Sequence, residues 1–562
     1  MSTTDGATAP QPPPGAPARV EIYDTTLRDG SQLEGISLTV DDKLRIAEQL
    51  DWLGVDYIEA GWPGANPKDD EMFRRARSEL ALTTSTLVAF GSTRRVKGKV
   101  DSDETLRHLI DAETDVVCIV GKCWDYHVTE ALQTTLDEGV AMVADSVEFL
   151  TASGREVFFD AEHFFDGYKR NPEFSLHVLE AAAQKGATRL VLCDTNGGSL
   201  PHEVQRIVRE VVDYFGDDVG IAVHLHDDAG TGVANALAGV LGGARQVQGT
   251  INGYGERTGN CNLTTIIPTL TLKMGIETIP ADRLDRLTPV AHHVAELVNM
   301  ALNPQAPYVG ESAFAHKAGL HVSAIAKRPD AYEHVAPASV GNGTRFLVSE
   351  LAGKSTVVLK AQELGIELDG PQVNDVVDRL KTMEHEGYHF EVADASLELL
   401  MRRTTGWHQP WFEVESFRVI TDDFAPDATG ASPSGTDDVL RGERPGGAGG
   451  VSTEATIKVH VGGERVVATA EGNGPVNALD GALRSALGGR FPGLERVHLT
   501  DYKVRVLDTA KGTGAVTRVL IDSTNGDRTW TTIGVSENII EASWQAMYDS
   551  LVYGLLLATE PA

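Results

Sequence analysis

Apolar and polar positions along residues 20 to about 275 follow two interleaved rhythms. Short runs rich in β-branched, aromatic and other apolar residues recur at Val20–Asp24, Val55–Ala60, Thr86–Phe90, Val116–Val120, Val157–Asp160, Leu190–Cys193, Ile221–His224 and Gln246–Ile251. Their length and near-continuous hydrophobicity predict strands buried on both faces. Stretches of helical length lie between them, at Val40–Leu53, Asp69–Glu79, Glu173–Lys185, His202–Phe215 and Gly232–Leu241. Eight β–α units in roughly 250 residues predict an α/β fold, a (β/α)8 TIM barrel. An open doubly wound sheet is the runner-up, but no Gly-x-Gly-x-x-Gly turn follows the first strand.

The pattern changes outside that region. Residues 1–18 are rich in Ala, Pro, Gly and Thr and read as a disordered tail ahead of a barrel over 19–280. Residues 281–408 read as mainly helical with Pro and Gly breaks, a linker region that completes the active site. From 409 to 562 period-two runs return at Phe412–Ile420, Ala455–Val461, Arg465–Glu471, Val497–Leu507, Thr517–Ser523 and Trp530–Val535. Helical stretches accompany them at Pro475–Leu487 and Asn538–Leu556, which predicts an α+β domain with a weak internal repeat of β-rich unit plus helix. Residues 425–452 are of low complexity and read as a flexible loop.

Composition narrows the partners. A length of 562 residues implies two or three domains, and 49 basic against 81 acidic residues leave a net charge of −32. That charge disfavours nucleic acid and anionic membranes as partners. No apolar run reaches the roughly 18 to 20 residues of a membrane span, and no signal peptide is expected. The four cysteines fit no disulfide or structural-zinc pattern, so a reducing, cytoplasmic setting is expected.

Chemistry concentrates where the predicted strands end, which is the active-site face of such a barrel. His224 and His226 are two apart on one strand and share a face. Two adjacent imidazoles suit a divalent metal, and Asp29, after strand one, is the simplest third ligand, leaving positions open for substrate. Arg28 would stabilise charge on a keto oxygen, or else bridge the barrel mouth as a salt bridge. Thr195 could donate to a substrate carboxylate or cap a helix, and Glu162 could position substrate or an enol, or stand as a surface carboxylate. Asp24, Asp194 and Asp228 could equally fix turns and caps.

Four ordered motifs carry a family resemblance. Tyr23-Asp24-Thr25-Thr26-Leu27-Arg28-Asp29-Gly30-Ser31-Gln32, His224-Leu225-His226-Asp227-Asp228, Asn252-Gly253-Tyr254-Gly255-Glu256-Arg257-Thr258-Gly259-Asn260 and Ala315-His316-Lys317-Ala318-Gly319 resemble those of the DRE-TIM metallolyases. More narrowly, they resemble the group of 2-isopropylmalate, homocitrate and citramalate synthases. The C-terminal α+β region is similar to that group's regulatory, dimerising domain.

The resemblance implies a divalent metal (Zn, Mn, Mg or Co) on Asp29, His224 and His226, with Asn260 as a weaker or outer ligand. It implies substrate binding by Arg28, Thr195 and Gln32, and catalytic parts for Arg28, Glu162, His316 and Tyr332, the last two in acid–base chemistry on acetyl-CoA. A base removes a methyl proton from acetyl-CoA, the enol attacks a 2-oxo acid, and water hydrolyses the thioester. It further implies a homodimer and feedback by isoleucine or leucine. One departure is Asp227, where the family often has Asn; its charge could alter metal choice or pair with a neighbour.

The segment Tyr57-Ile58-Glu59-Ala60-Gly61-Trp62-Pro63-Gly64-Ala65-Asn66-Pro67-Lys68-Asp69 resembles the long bacterial citramalate synthases and points to pyruvate, with (R)-citramalate, an isoleucine precursor, as product. 2-Oxoisovalerate (2-isopropylmalate synthesis) and 2-oxoglutarate (homocitrate synthesis) are the alternatives. A retro-aldol lyase of the superfamily would lack the long C-terminal domain. A catalytically silent amino-acid sensor would not need the metal residues.

Overall fold

The computed structural model describes residues 10–562 apart from 318–323, 326–327, 349–352, 424–450, 508–511, 513 and 560–562. The chain forms two compact units, one of residues up to Ala315 with Glu333–Arg345, the other of His316–Tyr332 with Phe346–Ala562.

The first unit is the expected closed barrel. Its parallel strands are β1 (Glu21–Asp24), β2 (Tyr57–Gly61), β3 (Thr86–Ser92), β4 (Val116–Lys122), β5 (Glu156–Glu162), β6 (Ala187–Asp194), β7 (Gly220–Leu225) and β8 (Gln246–Gly249). The ring closes where Glu21–Asp24 of β1 align residue for residue with Gln246–Gly249 of β8. Inward positions fill the barrel with Tyr23, Val88, Phe90, Val116, Cys118 and Phe158. Outward apolar residues pack under the surrounding helices.

The helix α1 (Val40–Leu53) illustrates how the sequence sets its own limits. The Thr39 hydroxyl accepts from the Asp42 amide and the Asp42 carboxylate accepts from the Thr39 amide, a reciprocal cap. Ile46, Ala47, Leu50 and Leu53 recur at helical spacing on the buried face. Gly54 ends the helix at φ 96°, and a Cβ there would stand 2.7 Å from Pro280 Cδ.

From Lys354 the second unit runs through helices Lys354–Glu363, Gly370–Glu386 and Asp394–Thr404. Two antiparallel three-stranded sheets follow, each closed by a helix. Phe412–Asp423, Val451–Val461 and Glu464–Gly472 precede helix Pro475–Leu487; His498–Val506, Thr517–Thr524 and Thr529–Ser536 precede helix Ile539–Thr559. Alternate residues Ala455, Ile457, Val459 and Val461 turn inward and join Leu479, Leu483 and Leu487 in one core. The weak repeat read from the sequence is therefore two copies of one β–β–β–α plan.

Three expectations change. Within the tail expected over 1–18, residues 1–9 lie outside the described residues. Residues 10–18 instead make a turn with Ala16 packed on the barrel core, and the Ala18 carbonyl accepts from the Glu277 amide. The mainly helical reading of 281–408 fails between Leu297 and Lys354, where the described residues run mostly as turns and short 3-10 segments. Pro304, Pro307, Pro329 and Pro337 lack the amides a helix would need. Of the loop expected at 425–452, residues 425–450 lie outside the described residues, and Val451 and Ser452 begin a strand.

Candidate active site

The strand ends of the barrel bring Asp29, His224 and His226 together, all buried. Asp29 lies one turn beyond β1; the Thr25 carbonyl accepts from the Gly30 amide within that loop, and the Thr25 amide and hydroxyl donate to the Gly249 carbonyl of β8. His224 belongs to β7, and His226 follows it on an isolated bridge to Asn260. The Asp29 Oδ2 is 3.1 Å from His224 Nε2 and 3.8 Å from His226 Nε2, and the two Nε2 atoms are 3.2 Å apart.

The 3.1 and 3.2 Å separations suit a shared cation, and the 3.8 Å between Asp29 Oδ2 and His226 Nε2 would have to shorten. With bonds of about 2.1 Å, neighbouring ligand atoms in tetrahedral or octahedral geometry stand roughly 3.0–3.4 Å apart. His224 Nδ1 is 2.9 Å from Gln248 Oε1, so Nδ1 donates there and Nε2 is the nitrogen that faces the site. Asn260 Nδ2 donates to Asp29 Oδ2 at 2.7 Å and lies 3.3 Å from His224 Nε2, so the amide turns its nitrogen to the site; its buried Oδ1, without a hydrogen-bond partner among the described residues, faces Gly255 and would meet a cation only after the amide turns over.

One contact must give way. Arg257 Nη2 lies 3.2 Å from His226 Nδ1 and also donates to the Thr195 carbonyl at 2.9 Å. Ligation through Nε2 would place the proton on Nδ1, and the guanidinium would then have to retreat from that nitrogen. Its pair with Asp228, 2.7 and 2.9 Å, does not depend on that contact.

Electrostatics favours an ionised Asp29, a protonated His224 and a neutral His226. Burial alone would raise the Asp29 carboxyl, but Arg28, His224 and His226 outweigh it and hold the group well below the ordinary carboxylate range. Burial likewise opposes protonation of His224, yet the hydrogen bond and charge of Asp29 raise its pKa. Burial and the neighbouring charge of His224 push His226 down to about 4.

Arg28 stands beside this cluster. Its Nε donates to Glu59 Oε1 at 2.6 Å, its Nη1 is 3.7 Å from Asp29 Oδ1, and its guanidinium lies 3.8 Å from the Phe90 ring centroid. Tyr23 in turn donates to Glu59 Oε2 at 2.6 Å. The salt bridge weighed as Arg28's alternative role therefore exists, and it orients the guanidinium. Glu162, at the end of β5, pairs with Lys122 at the end of β4. Thr195 Oγ1 accepts from the His163 amide at 2.9 Å, so Thr195 and the loop after Glu162 are joined. His163 holds a left-handed φ of 55° there.

Gln32 lines a cleft that Arg28 also lines. His316 and Tyr332 belong to the second unit, the first half-buried, the second exposed. Ala318 and Gly319 of their motif lie outside the described residues.

The plainer readings hold for several acids. Asp24 accepts from the Thr26 amide and hydroxyl, and Asp194 from the Ser199 amide and hydroxyl. Asp227 accepts from the Gly232 amide at 2.5 Å, at the start of helix Gly232–Gly242, so its extra charge is spent on a helix terminus. Sequence reading missed Gln248 and Phe90. Gln246 and Gln248 alternate on a strand of a barrel that closes on itself, and that inward polar pair was the available signal.

Comparison with known proteins agrees in order and extent. Residues 19–290 match the HMGL-like family model, 308–388 the homocitrate synthase post-HMGL domain-like model, and 391–555 the LeuA allosteric (dimerisation) domain. The (R)-citramalate synthase of Aquifex aeolicus is 51% identical over 96% of this chain and 98% of its own length. That of Streptomyces coelicolor is 51% identical over 96% and 97%, and that of a Synechocystis species 49% over 96% and 96%. With about half of its residues shared along nearly its whole length, the chain belongs to the (R)-citramalate synthase family.

Proposed function

We propose that this protein condenses acetyl-CoA with pyruvate to give (R)-citramalate and free CoA, a step toward isoleucine. The observation that carries the reading is the convergence of Asp29, His224 and His226 beside an Arg28 already oriented by Glu59 and Phe90. A divalent cation held by those three residues, with Asn260 as an additional donor, supplies Lewis-acid polarisation of the keto group when bound.

The protein's own residues supply the rest. Arg28 presents the free edge of its guanidinium to the substrate and offsets negative charge developing on the former keto oxygen. Thr195 and Gln32 bind the substrate, and Glu162, restrained by Lys122, orients it. His316 takes the methyl proton of acetyl-CoA on a ring nitrogen, with Tyr332 assisting. The methyl carbon then bonds to the keto carbon of pyruvate. Water cleaves the thioester C–S bond, and CoA leaves as the thiol, which makes the condensation effectively irreversible.

The setting belongs to the same proposal. All four cysteines are buried and unbridged, as a reducing cytoplasm favours, and no helix among the described residues is long and apolar enough to cross a membrane. The LeuA-type domain supports a homodimer. Feedback by isoleucine or leucine is supported by a largely apolar cavity of about 310 Å³ in that domain, lined by Val476, Tyr502, Met547 and Leu551 with Asp480 and Arg484. Kinetics unchanged under saturating isoleucine and leucine would remove it.

The test offers acetyl-CoA with pyruvate, 2-oxoisovalerate or 2-oxoglutarate and follows thiol release. Pyruvate should win by at least about tenfold in kcat/KM, or about 1.4 kcal/mol of barrier. Preference for either of the others overturns the substrate assignment.

A further inference from the structure

Arg28 is engaged on three sides. Glu59 takes its Nε, Asp29 faces Nη1 and the Phe90 ring covers one face of the guanidinium. A carboxylate or keto oxygen therefore reaches it at the remaining outer edge, in the guanidinium plane and alongside the Phe90 ring. Phe90 is the apolar neighbour of that plane, and Trp62 meets it edge-on, with centroids 5.3 Å apart at 80°. Trp62 and Arg28 line the same open cleft of about 670 Å³.

The Trp62 backbone is anchored. Its amide donates to Asp69 Oδ2 at 3.1 Å, Asn66 Nδ2 donates to the same oxygen at 3.0 Å, and Lys43 pairs with Asp69. Phe90 is buried among the aromatic residues inside the barrel and cannot recede without opening a void. The apolar wall beside Arg28 thus has a fixed backing and a fixed outer member.

We propose that Trp62, seated on Phe90, sets the upper size of the 2-oxo acid side chain accepted at Arg28. The inference rests on the condensation proposed above. The methyl of pyruvate fits between the guanidinium edge and the indole. Each added carbon has to displace an indole that has no room to move toward the barrel. Loss of the indole opens space on the cleft side while leaving Phe90 to support Arg28.

The test uses the full-length, metal-loaded enzyme carrying Trp62→Leu or Trp62→Phe. kcat/KM is measured for pyruvate, 2-oxobutyrate and 2-oxoisovalerate in one preparation, so each ratio is independent of the fraction of folded protein. Trp62→Leu should raise the 2-oxobutyrate-to-pyruvate ratio by about tenfold or more, through KM more than kcat, with a smaller rise for Trp62→Phe. Ratios within twofold of the unsubstituted enzyme would overturn the proposal, as would a parallel loss with all three acids in both variants. If the unsubstituted enzyme itself prefers a larger acid, the substrate assignment fails first, and that control separates the two failures.

Discussion

Replacing Gln248 with leucine removes the acceptor 2.9 Å from His224 Nδ1 and nothing else that touches the candidate cation site. Gln248 is only 1% exposed, so water does not take its place easily. A neutral hydrogen bond of this kind contributes about 0.5–1.5 kcal/mol, and its loss also frees the ring to place its proton on Nε2, where it blocks ligation. Partners of this type typically govern affinity by 10- to 100-fold, about 1.4–2.7 kcal/mol. Titration of the metal-free protein against a competing chromophoric chelator should therefore give a dissociation constant raised by that factor. Gln248→Glu restores an acceptor and should recover most of the affinity. If Gln248→Leu binds the cation as tightly as the unsubstituted protein, His224 does not ligate through Nε2, and the site has been assembled wrongly.

Other expectations follow from the same geometry. Arg28→Lys keeps the charge but loses the fork and the face on Phe90, so kcat/KM should fall by about 100-fold in steady-state assays, mainly through KM. Cation affinity should fall as the pH drops, because the raised His224 must shed a proton to ligate; isothermal titration in two buffers of different ionisation enthalpy should show net proton release, and a pH-independent affinity would contradict it. Asp51 accepts from the amides of Thr83, Thr84 and Ser85 and the Thr83 hydroxyl, so Asp51→Ala should cost the barrel about 3 kcal/mol and several degrees of its thermal transition. Burial opposes these donors, yet they hold the Asp51 carboxyl below its ordinary value. Its stabilisation is therefore present above the unfolded value of about 3.9 and lost as pH falls through the folded one, so the gap between variant and parent should close in acid.

The barrel was legible because strand and helix periods are local. Val40–Leu53 carries its cap, its stripe and its glycine within sixteen residues of sequence, from Thr39 to Gly54. The repeat in the C-terminal domain was legible for the same reason. The convergence of the candidate metal residues was legible in part, since two histidines on one strand are a local fact, whereas Asp29 had to be joined to them through a fold. What escaped was tertiary. Gln248 matters only because β8 lies next to β7, and Phe90 only because the side chain of Arg28 folds back over β3. The described residues between 298 and 353 misled because the apolar content there reads as helical while Pro304, Pro307, Pro329 and Pro337 each remove an amide that a helix would use.

Closure of the strand ring between β1 and β8 has a consequence for biogenesis. Asp29 is made early and the histidine pair nearly two hundred residues later, so a nascent chain has no cation site until β8 and the segment through Asn260 have emerged and docked against β1. Uptake of an ion at that candidate site would then act as a checkpoint on completed assembly. By mass action it would tighten the finished cylinder by RT ln(1 + [M]/Kd), leaving chains arrested short of that seam without that stabilisation.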